Sequence, residues 1–283
     1  MDSKYLIFLD IDGTLLDEKY RCNYPNLALT IKRFEEQENV IFSINSNRSL
    51  QDLWPIIKQF RISGPIVCEN GIFAYFVKSK KKVYLAPKNL LSKLKTIKYN
   101  FRSWTLEASK ELGKRTFYKK TDTVKIVSQG KRVEFPENSI IILVNRFREY
   151  TVSAHVKKFK KGNLFKDLRT LQRLQKSLEN KISEISLDKD IEISSSTTFG
   201  NILVYLKKIS KRTGTEYLLK KHFPNYRAVA IGNERSDFQM IEELGEFWTV
   251  KNASKEVKRL ASKIATKPYA KGVNDLLIEL AHV

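Results

Sequence analysis

The sequence is poor in the residues that staple or metallate small proteins. Of its 283 residues only 2 are cysteine and 3 are histidine. Cys22 and Cys68 are too few for a disulfide framework, and neither belongs to a Cys-x-x-Cys pair of the kind that binds zinc. The histidines show no His-Glu-x-x-His spacing, which argues against a zinc hydrolase. Long apolar runs are also missing. None approaches the ~20 residues of a membrane span. The first apolar stretch is interrupted by Asp10 and follows no basic region, unlike a secretory leader. These absences predict a soluble protein in a reducing, cytoplasmic setting, with no membrane partner.

Acidic residues are scarce as well: 31 Asp and Glu face 52 Lys and Arg, for a net charge of +21. About +17 of that charge falls in residues 78–195. Tracts such as Lys78-Ser79-Lys80-Lys81-Lys82 and Lys157-Lys158-Phe159-Lys160-Lys161 contribute. One reading is a surface that attracts polyanions, nucleic acid included, or phosphorylated substrates. The other is a lysine-rich solvated surface. A single tract favours solvation; for the whole segment both readings stand. Phe101, Trp104, Phe117 and Tyr118 are candidates for base stacking, although packing is the commoner role for such residues.

What is present supports a packed core: 42% of residues are hydrophobic and 11% aromatic, which excludes general disorder. The length suits one large α/β domain or a core with a sizeable insert. Tyr5-Leu6-Ile7-Phe8-Leu9 is continuously apolar, as in a strand buried on both faces. It stops at Asp10-Ile11-Asp12-Gly13-Thr14. The i, i+2 spacing sends both carboxylates to one side, where they repel each other and favour a cation such as Mg²⁺. Strand carboxyl ends are also where open α/β sheets bind ligands.

Residues 1–77 alternate strand and helix: a helix over 26–38, a strand over 40–45, a helix over 50–60 and a strand over 66–68. Such alternation predicts a parallel, doubly wound sheet. Beyond residue 77 the pattern becomes mixed α+β, with strands over 140–144 and 149–156, a long helix over 163–182, and strands over 190–194 and 202–206. The alternation then returns: a helix over 212–222, a strand over 228–232, a helix over 236–244, a strand over 247–250, a helix over 254–261 and a last helix from Gly272 to Leu280. We therefore expect a core of residues 1–77 and 196–283, with 78–195 inserted as a separate domain.

Several motifs occur in order along this pattern. Asp10-Ile11-Asp12-Gly13-Thr14 resembles the first motif, DxDGT, of haloacid dehalogenase (HAD) superfamily phosphatases. Ser46, at the end of the second strand, resembles the Ser/Thr of the second motif. Lys211, in Ile209-Ser210-Lys211, resembles the third-motif lysine. Gly232-Asn233-Glu234-Arg235-Ser236-Asp237 resembles the fourth motif, GDxxxD, but has Asn233 where the family usually has Asp. Ser46-Asn47-Arg48 departs from the more usual TGR. Glu69-Asn70-Gly71 and Tyr269-Ala270-Lys271-Gly272-Val273 are similar to segments of the Cof-type branch. The placement of the insert resembles a C2 cap of subfamily IIB, as in sucrose-phosphate and mannosyl-3-phosphoglycerate phosphatases.

The resemblance implies a Rossmann-like HAD core, a cap that selects the substrate, and Mg²⁺-dependent hydrolysis of a phosphate monoester, with a small sugar phosphate or related metabolite as the substrate. Asp10 is the implied nucleophile and Asp12 the implied acid/base. Ser46 and Lys211 are implied to hold the phosphoryl group. Asp10, Asp12, Asp237 and Asn233 are implied on the metal. Asn47, Arg48 and Asn70 are candidate substrate contacts. Two alternatives remain open: a phosphatase of nucleotides or nucleic-acid ends that uses the basic cap, and a non-catalytic polyanion-binding protein of the same fold. The sequence does not decide between monomer and dimer.

Overall fold

Tyr5–Leu9 forms strand β1 in the middle of an eight-stranded sheet, and Leu6, Ile7, Phe8 and Leu9 are fully buried. The structure is a computed structural model that describes residues 4–22, 24–37, 39–110, 113, 115–129 and 134–280. The chain divides into two units, Met1–Ala86 with Ile209–Val283, and Pro87–Lys208. Among the described residues, no helix is long and apolar enough to cross a membrane.

In the first unit, α1 (Asn26–Glu36), β2 (Val40–Asn45), α2 (Leu50–Phe60) and β3 (Pro65–Cys68) follow β1. The strands β1, β2 and β3 pair in parallel. A hairpin, β4 (Phe73–Phe76) and β5 (Lys81–Tyr84), then continues the sheet antiparallel from β3. It is held by an edge-on contact between the Phe73 and Tyr84 rings, with the Lys82 ammonium 4.5 Å from the centre of the Phe73 ring. The division therefore falls after residue 86 rather than 77, because the alternating aromatics of this hairpin extend the core sheet.

After the second unit, the chain returns to the same sheet. The elements are α6 (Lys211–Lys221), β12 (Arg227–Gly232), α7 (Arg235–Gln239), β13 (Glu246–Thr249), α8 (Lys255–Leu260), β14 (Lys263–Ile264) and α9 (Tyr269–Leu280). The strand order is β14-β13-β12-β1-β2-β3-β4-β5, doubly wound and parallel except for the hairpin. The helix expected over 236–244 is shortened to α7. The last helix starts at Tyr269, ahead of the expected cap at Gly272.

The second unit contains α3 (Lys88–Lys110), β6 (Thr116–Thr121), α4 (Thr123–Gln129), β7 (Ile140–Asn145), β8 (Val152–Lys160), β9 (Asn163–Lys166), α5 (Leu168–Glu184), β10 (Ile191–Ser196) and β11 (Asn201–Leu206). Its sheet runs β10-β11-β8-β7-β6, with β9 paired to β8. Helices α3 and α5 pack against each other and against this sheet. Three expectations are corrected here. The long helix over 163–182 is a strand, β9, followed by a helix that begins only after Asp167, whose carboxylate accepts from the Thr170 N–H and caps it. The strand expected over 149–156 starts three residues later, so Lys157, Lys158 and Lys160 belong to a strand, with Lys157 buried, Lys158 half-buried and Lys160 exposed. The strand over 202–206 belongs to this sheet and not to the core, which puts the second boundary after residue 208 rather than 195. Of the candidate stacking aromatics, Phe101 is buried and Phe117 packs with its ring centre 5.7 Å from that of Phe135.

Candidate active site

The doubly wound sheet brings the carboxyl ends of β1, β2 and β12 side by side. Asp10 continues the ladder between β1 and β12, with its N–H donating to the Ile231 carbonyl at 3.0 Å. Gly13, at φ +85°, turns the chain back. A Cβ there would lie 2.5 Å from the Asn233 amide nitrogen, so the turn and the Asn233 side chain fit only around glycine.

Asp10 is buried and held on both oxygens. Lys211 Nζ donates to Oδ1 at 2.6 Å, and Thr14 Oγ1 lies 3.0 Å from Oδ2. The same hydroxyl is 2.8 Å from Asn233 Oδ1, so it ties the first loop to the fourth motif. Lys211 also reaches Asp237 Oδ1 at 2.7 Å, and Asp237 Oδ2 accepts from the N–H groups of Asn233 and Glu234 at 2.9 Å each. Burial works against the Lys211 charge, but the two carboxylates outweigh it and hold the ammonium well above its ordinary range. Asp10 is pushed up to about 7, first by burial and then by the Asp237 charge, which Lys211 only partly offsets.

Asp12 takes a two-pronged clamp from Arg48, with Nε to Oδ2 at 2.9 Å and Nη2 to Oδ1 at 2.6 Å. The Arg48 guanidinium lies 4.7 Å from the centre of the Tyr20 ring, which covers its face. Arg48 therefore positions Asp12. Ser46, in the loop after β2, accepts from the Arg48 N–H at 3.2 Å, which leaves its own hydroxyl proton available to donate. Asn47 sits half-buried between these two residues. Asn70 lies in left-handed backbone at φ +61° and donates through Nδ2 to the Ile209 carbonyl at 3.3 Å. It braces the start of α6.

Two contributors were not legible as site residues. Asn45 ends a buried strand and donates through Nδ2 to the Lys211 carbonyl at 2.9 Å and to Thr215 Oγ1 at 3.1 Å, which fixes the first turn of α6 under Lys211. An amide at the end of an apolar strand was its only signal. Asn252 donates to the Gly13 carbonyl at 2.8 Å and accepts from the Tyr269 N–H at 3.0 Å, so it holds the turn from outside. No local pattern marks it.

Among the described residues, no group of three or more His, Cys, Asp or Glu side chains converges as a ready metal cluster. The carboxylates of Asp10 and Asp237 do meet, both within 2.7 Å of a single ammonium. With Asp12, three carboxylates face two cations, Lys211 and Arg48, which leaves an excess of negative charge. Such a set fits Mg²⁺, which binds through one or two carboxylates and completes its shell with neutral oxygens and substrate phosphate.

The doubly wound sheet with a carboxylate pair at its central strand, a buried lysine across from it and an acidic loop beside it defines a phosphoryl-transfer class of hydrolase core. A family model described as haloacid dehalogenase-like hydrolase matches residues 7–277, and the chain belongs to that family. It is similar to a solved haloacid dehalogenase-like hydrolase from Bacteroides thetaiotaomicron, with 18% identity, 98% of this chain and 100% of that one covered, and a TM-score of 0.67. It is also similar to a putative HAD/COF-like hydrolase from Plasmodium vivax, with 18% identity, 99% and 96% coverage and a TM-score of 0.63. A structure titled as a HAD subclass IIB sugar phosphatase aligns over 99% of this chain and 100% of that one, at 14% identity and a TM-score of 0.61. At these identities the likeness shows the fold. Among characterised sequences, kanosamine-6-phosphate phosphatase of Bacillus subtilis is 34% identical over 65 residues, which is 23% of each chain.

Proposed function

We propose that this protein is a Mg²⁺-dependent phosphatase that hydrolyses the phosphate monoester of a small, hydroxyl-bearing metabolite through an aspartyl-phosphate on Asp10. The observation that carries this is the arrangement at Asp10: a buried carboxylate at a strand end, gripped by Lys211 and Thr14, with a second carboxylate two residues on. Two of the proteins it resembles, a kanosamine-6-phosphate phosphatase and a sugar phosphatase, support the substrate class.

In this reading an Asp10 oxygen attacks phosphorus and the alcohol leaves with a proton from Asp12. Water then attacks the aspartyl-phosphate while Asp12 takes its proton, which returns both residues to their starting states. Ser46 donates to one phosphoryl oxygen, and Lys211 neutralises charge on the group in transfer. The Arg48 clamp holds Asp12 in place between turnovers, so proton transfer needs Asp12 to turn from it. Mg²⁺, held by Asp10 and Asp237 with Asn233 Oδ1 and the Asp12 carbonyl, would supply positive charge to the phosphoryl oxygens. We read residues 87–208 as the C2-type cap.

The purified protein with Mg²⁺ is expected to hydrolyse an aryl phosphate or a sugar phosphate. Asp10→Asn is expected to lower kcat by roughly a thousandfold or more without altering the circular dichroism spectrum. Activity unchanged in that variant overturns the proposal.

A further inference from the structure

The loop after β1 holds a backbone conformation that its sequence does not favour. Tyr20 sits at φ +59°, left-handed backbone that a bulky L-residue adopts only at a cost. The bonds around it impose that conformation. Asp17 donates its N–H to the Arg21 carbonyl at 3.0 Å, and its Oδ1 accepts from the N–H groups of Lys19 at 2.8 Å and Arg21 at 2.9 Å. The Tyr20 N–H closes the turn on the Asp17 carbonyl at 2.9 Å. Leu15 and Leu16, both buried, root the loop in the core. One aspartate side chain thus organises the segment from Asp17 to Arg21, with a strained tyrosine inside it. Strain that the surroundings over-determine clusters where function needs a fixed geometry.

In this turn the Tyr20 ring lies over the Arg48 guanidinium, with 4.7 Å between Cζ and the ring centre. Arg48 is only 5% exposed, so water does little to hold its charge. Its Nε and Nη2 both donate to Asp12. Asp52, the next carboxylate to act on the guanidinium, already takes the Ser49 hydroxyl at 2.7 Å. In the reaction proposed above, Asp12 leaves the clamp twice per turnover, once to give a proton to the alcohol and once to take one from water. Each time a buried guanidinium loses its carboxylate, and an unpaired buried charge is costly. An aromatic face attracts a cation most strongly where water is excluded.

We propose that Tyr20 is a positioning residue for acid/base catalysis: its ring keeps the Arg48 guanidinium in place while Asp12 is turned away, so that the carboxylate moves between two fixed geometries. The inference rests on the phosphatase reading and deepens it by separating two demands on Arg48, pairing with Asp12 and staying put without it. With the ring gone, the guanidinium follows Asp12 as it turns and keeps hold of it. Proton transfer then slows, and substrate binding is unaffected.

The test uses full-length protein with Mg²⁺ and two variants. Tyr20→Asn removes the ring, yet asparagine suits left-handed backbone, so the turn stays. Tyr20→Phe keeps the ring face. Glucose 6-phosphate has a leaving group that needs a proton from Asp12, whereas p-nitrophenolate leaves without one. For Tyr20→Asn, kcat on glucose 6-phosphate is expected to fall about tenfold or more, with KM within about threefold. On p-nitrophenyl phosphate, formation of the aspartyl-phosphate stays fast and its hydrolysis slows, so a burst approaching one equivalent per enzyme precedes a slower steady state. Tyr20→Phe is expected to match the parent within about threefold throughout. Parental kcat in Tyr20→Asn overturns the proposal, as does a loss carried by KM or one that Tyr20→Phe shares.

Denaturant unfolding of the parent, Tyr20→Asn, Arg48→Met and the double variant reads the stack without any assay of activity. A coupling of about threefold or more in the unfolding constant is expected, and no coupling overturns the stack. A parent inactive on both esters removes the phosphatase reading, and with it the acid/base role, while the coupling stands. An active parent with Tyr20→Asn at parental kcat removes the positioning role alone.

Discussion

At position 233 the chain carries an amide where the fourth motif it resembles carries a carboxylate. The structure shows what that amide does: its oxygen takes up the Thr14 hydroxyl, and its side chain fills the space left by Gly13. Both roles survive a change to aspartate, which is isosteric and still accepts. Asn233→Asp would add a negative charge beside Asp10 and Asp237, a pair already short of positive charge. Without metal this is expected to lower stability through like-charge repulsion. With Mg²⁺ it is expected to tighten binding by about three- to tenfold, read by calorimetric titration without substrate. Equal Mg²⁺ affinity in the two proteins would remove position 233 from the metal shell. Asp10 with Asp12, and Asn233 with Asp237, stood out in advance because each pair lies in a contiguous stretch that resembles a family motif; that the two stretches meet follows from the pairing of β1 with β12. The Arg48 clamp on Asp12 did not, because it joins the loop after β1 to the loop after β2 and depends on strand order.

At the scale of elements, two glycines in left-handed backbone separate local strain from tertiary crowding. Gly71, at φ +90°, closes the loop after β3, and a Cβ there would stand 2.0 Å from the Ser210 carbonyl oxygen. Gly162, at φ +72°, turns β8 into β9 with nothing within 4 Å of the same position. Gly162→Ala is expected to cost about 1 kcal/mol, the backbone term alone. Gly71→Ala is expected to cost about 3 kcal/mol or more, because the Ser210 N-cap of α6 must also move. The Gly71 change should lower kcat as well, since Lys211 is the first residue of that helix. Denaturant unfolding of the two variants checks the difference, and equal costs would show that crowding at Ser210 is relieved without loss. The elements of the core were readable because parallel strands buried on both faces are continuous apolar runs. The second unit was less so. Leu164 and Leu168 continue a helical spacing across Asp167, and only the turn at Lys161-Gly162 and the pairing of β9 with β8 break it. The boundary expected after residue 195 put the strand over 202–206 with the core, although its pattern belongs to the mixed segment. Pairing with β8 and β10, a long-range contact, assigns it elsewhere.

For the molecule as a whole, the excess of 52 basic over 31 acidic residues does not lie only on solvated surface, and Lys157 is the clearest exception. Its ammonium is lowered from 10.5 to about 8 chiefly by burial, so the folded state bears a desolvation cost whenever that group is charged. Below about pH 8 both folded and unfolded chains carry the proton and the whole cost is present. Between about 8 and 10.5 the unfolded chain binds the proton and the folded chain does not, so stability from this residue rises with pH. Above 10.5 neither state binds it and nothing further changes. Lys157→Met, close in length and uncharged, is therefore expected to be more stable than the parent by about 2 kcal/mol at pH 7. That advantage should shrink steadily as the pH is raised through 9. Urea unfolding of both proteins at pH 7 and pH 9 reads the difference; the comparison stops short of the sequence pI of about 9.8, where net charge vanishes and association sets in. An advantage that is constant across this range would show that the folded protein keeps the Lys157 proton up to pH 9, so that burial does not lower it. Stability lost at pH 7 would show instead that the ammonium is paired. The expected pattern, a variant more stable than the parent at pH 7 and less so at pH 9, is what a buried ammonium with no carboxylate acting on it among the described residues implies.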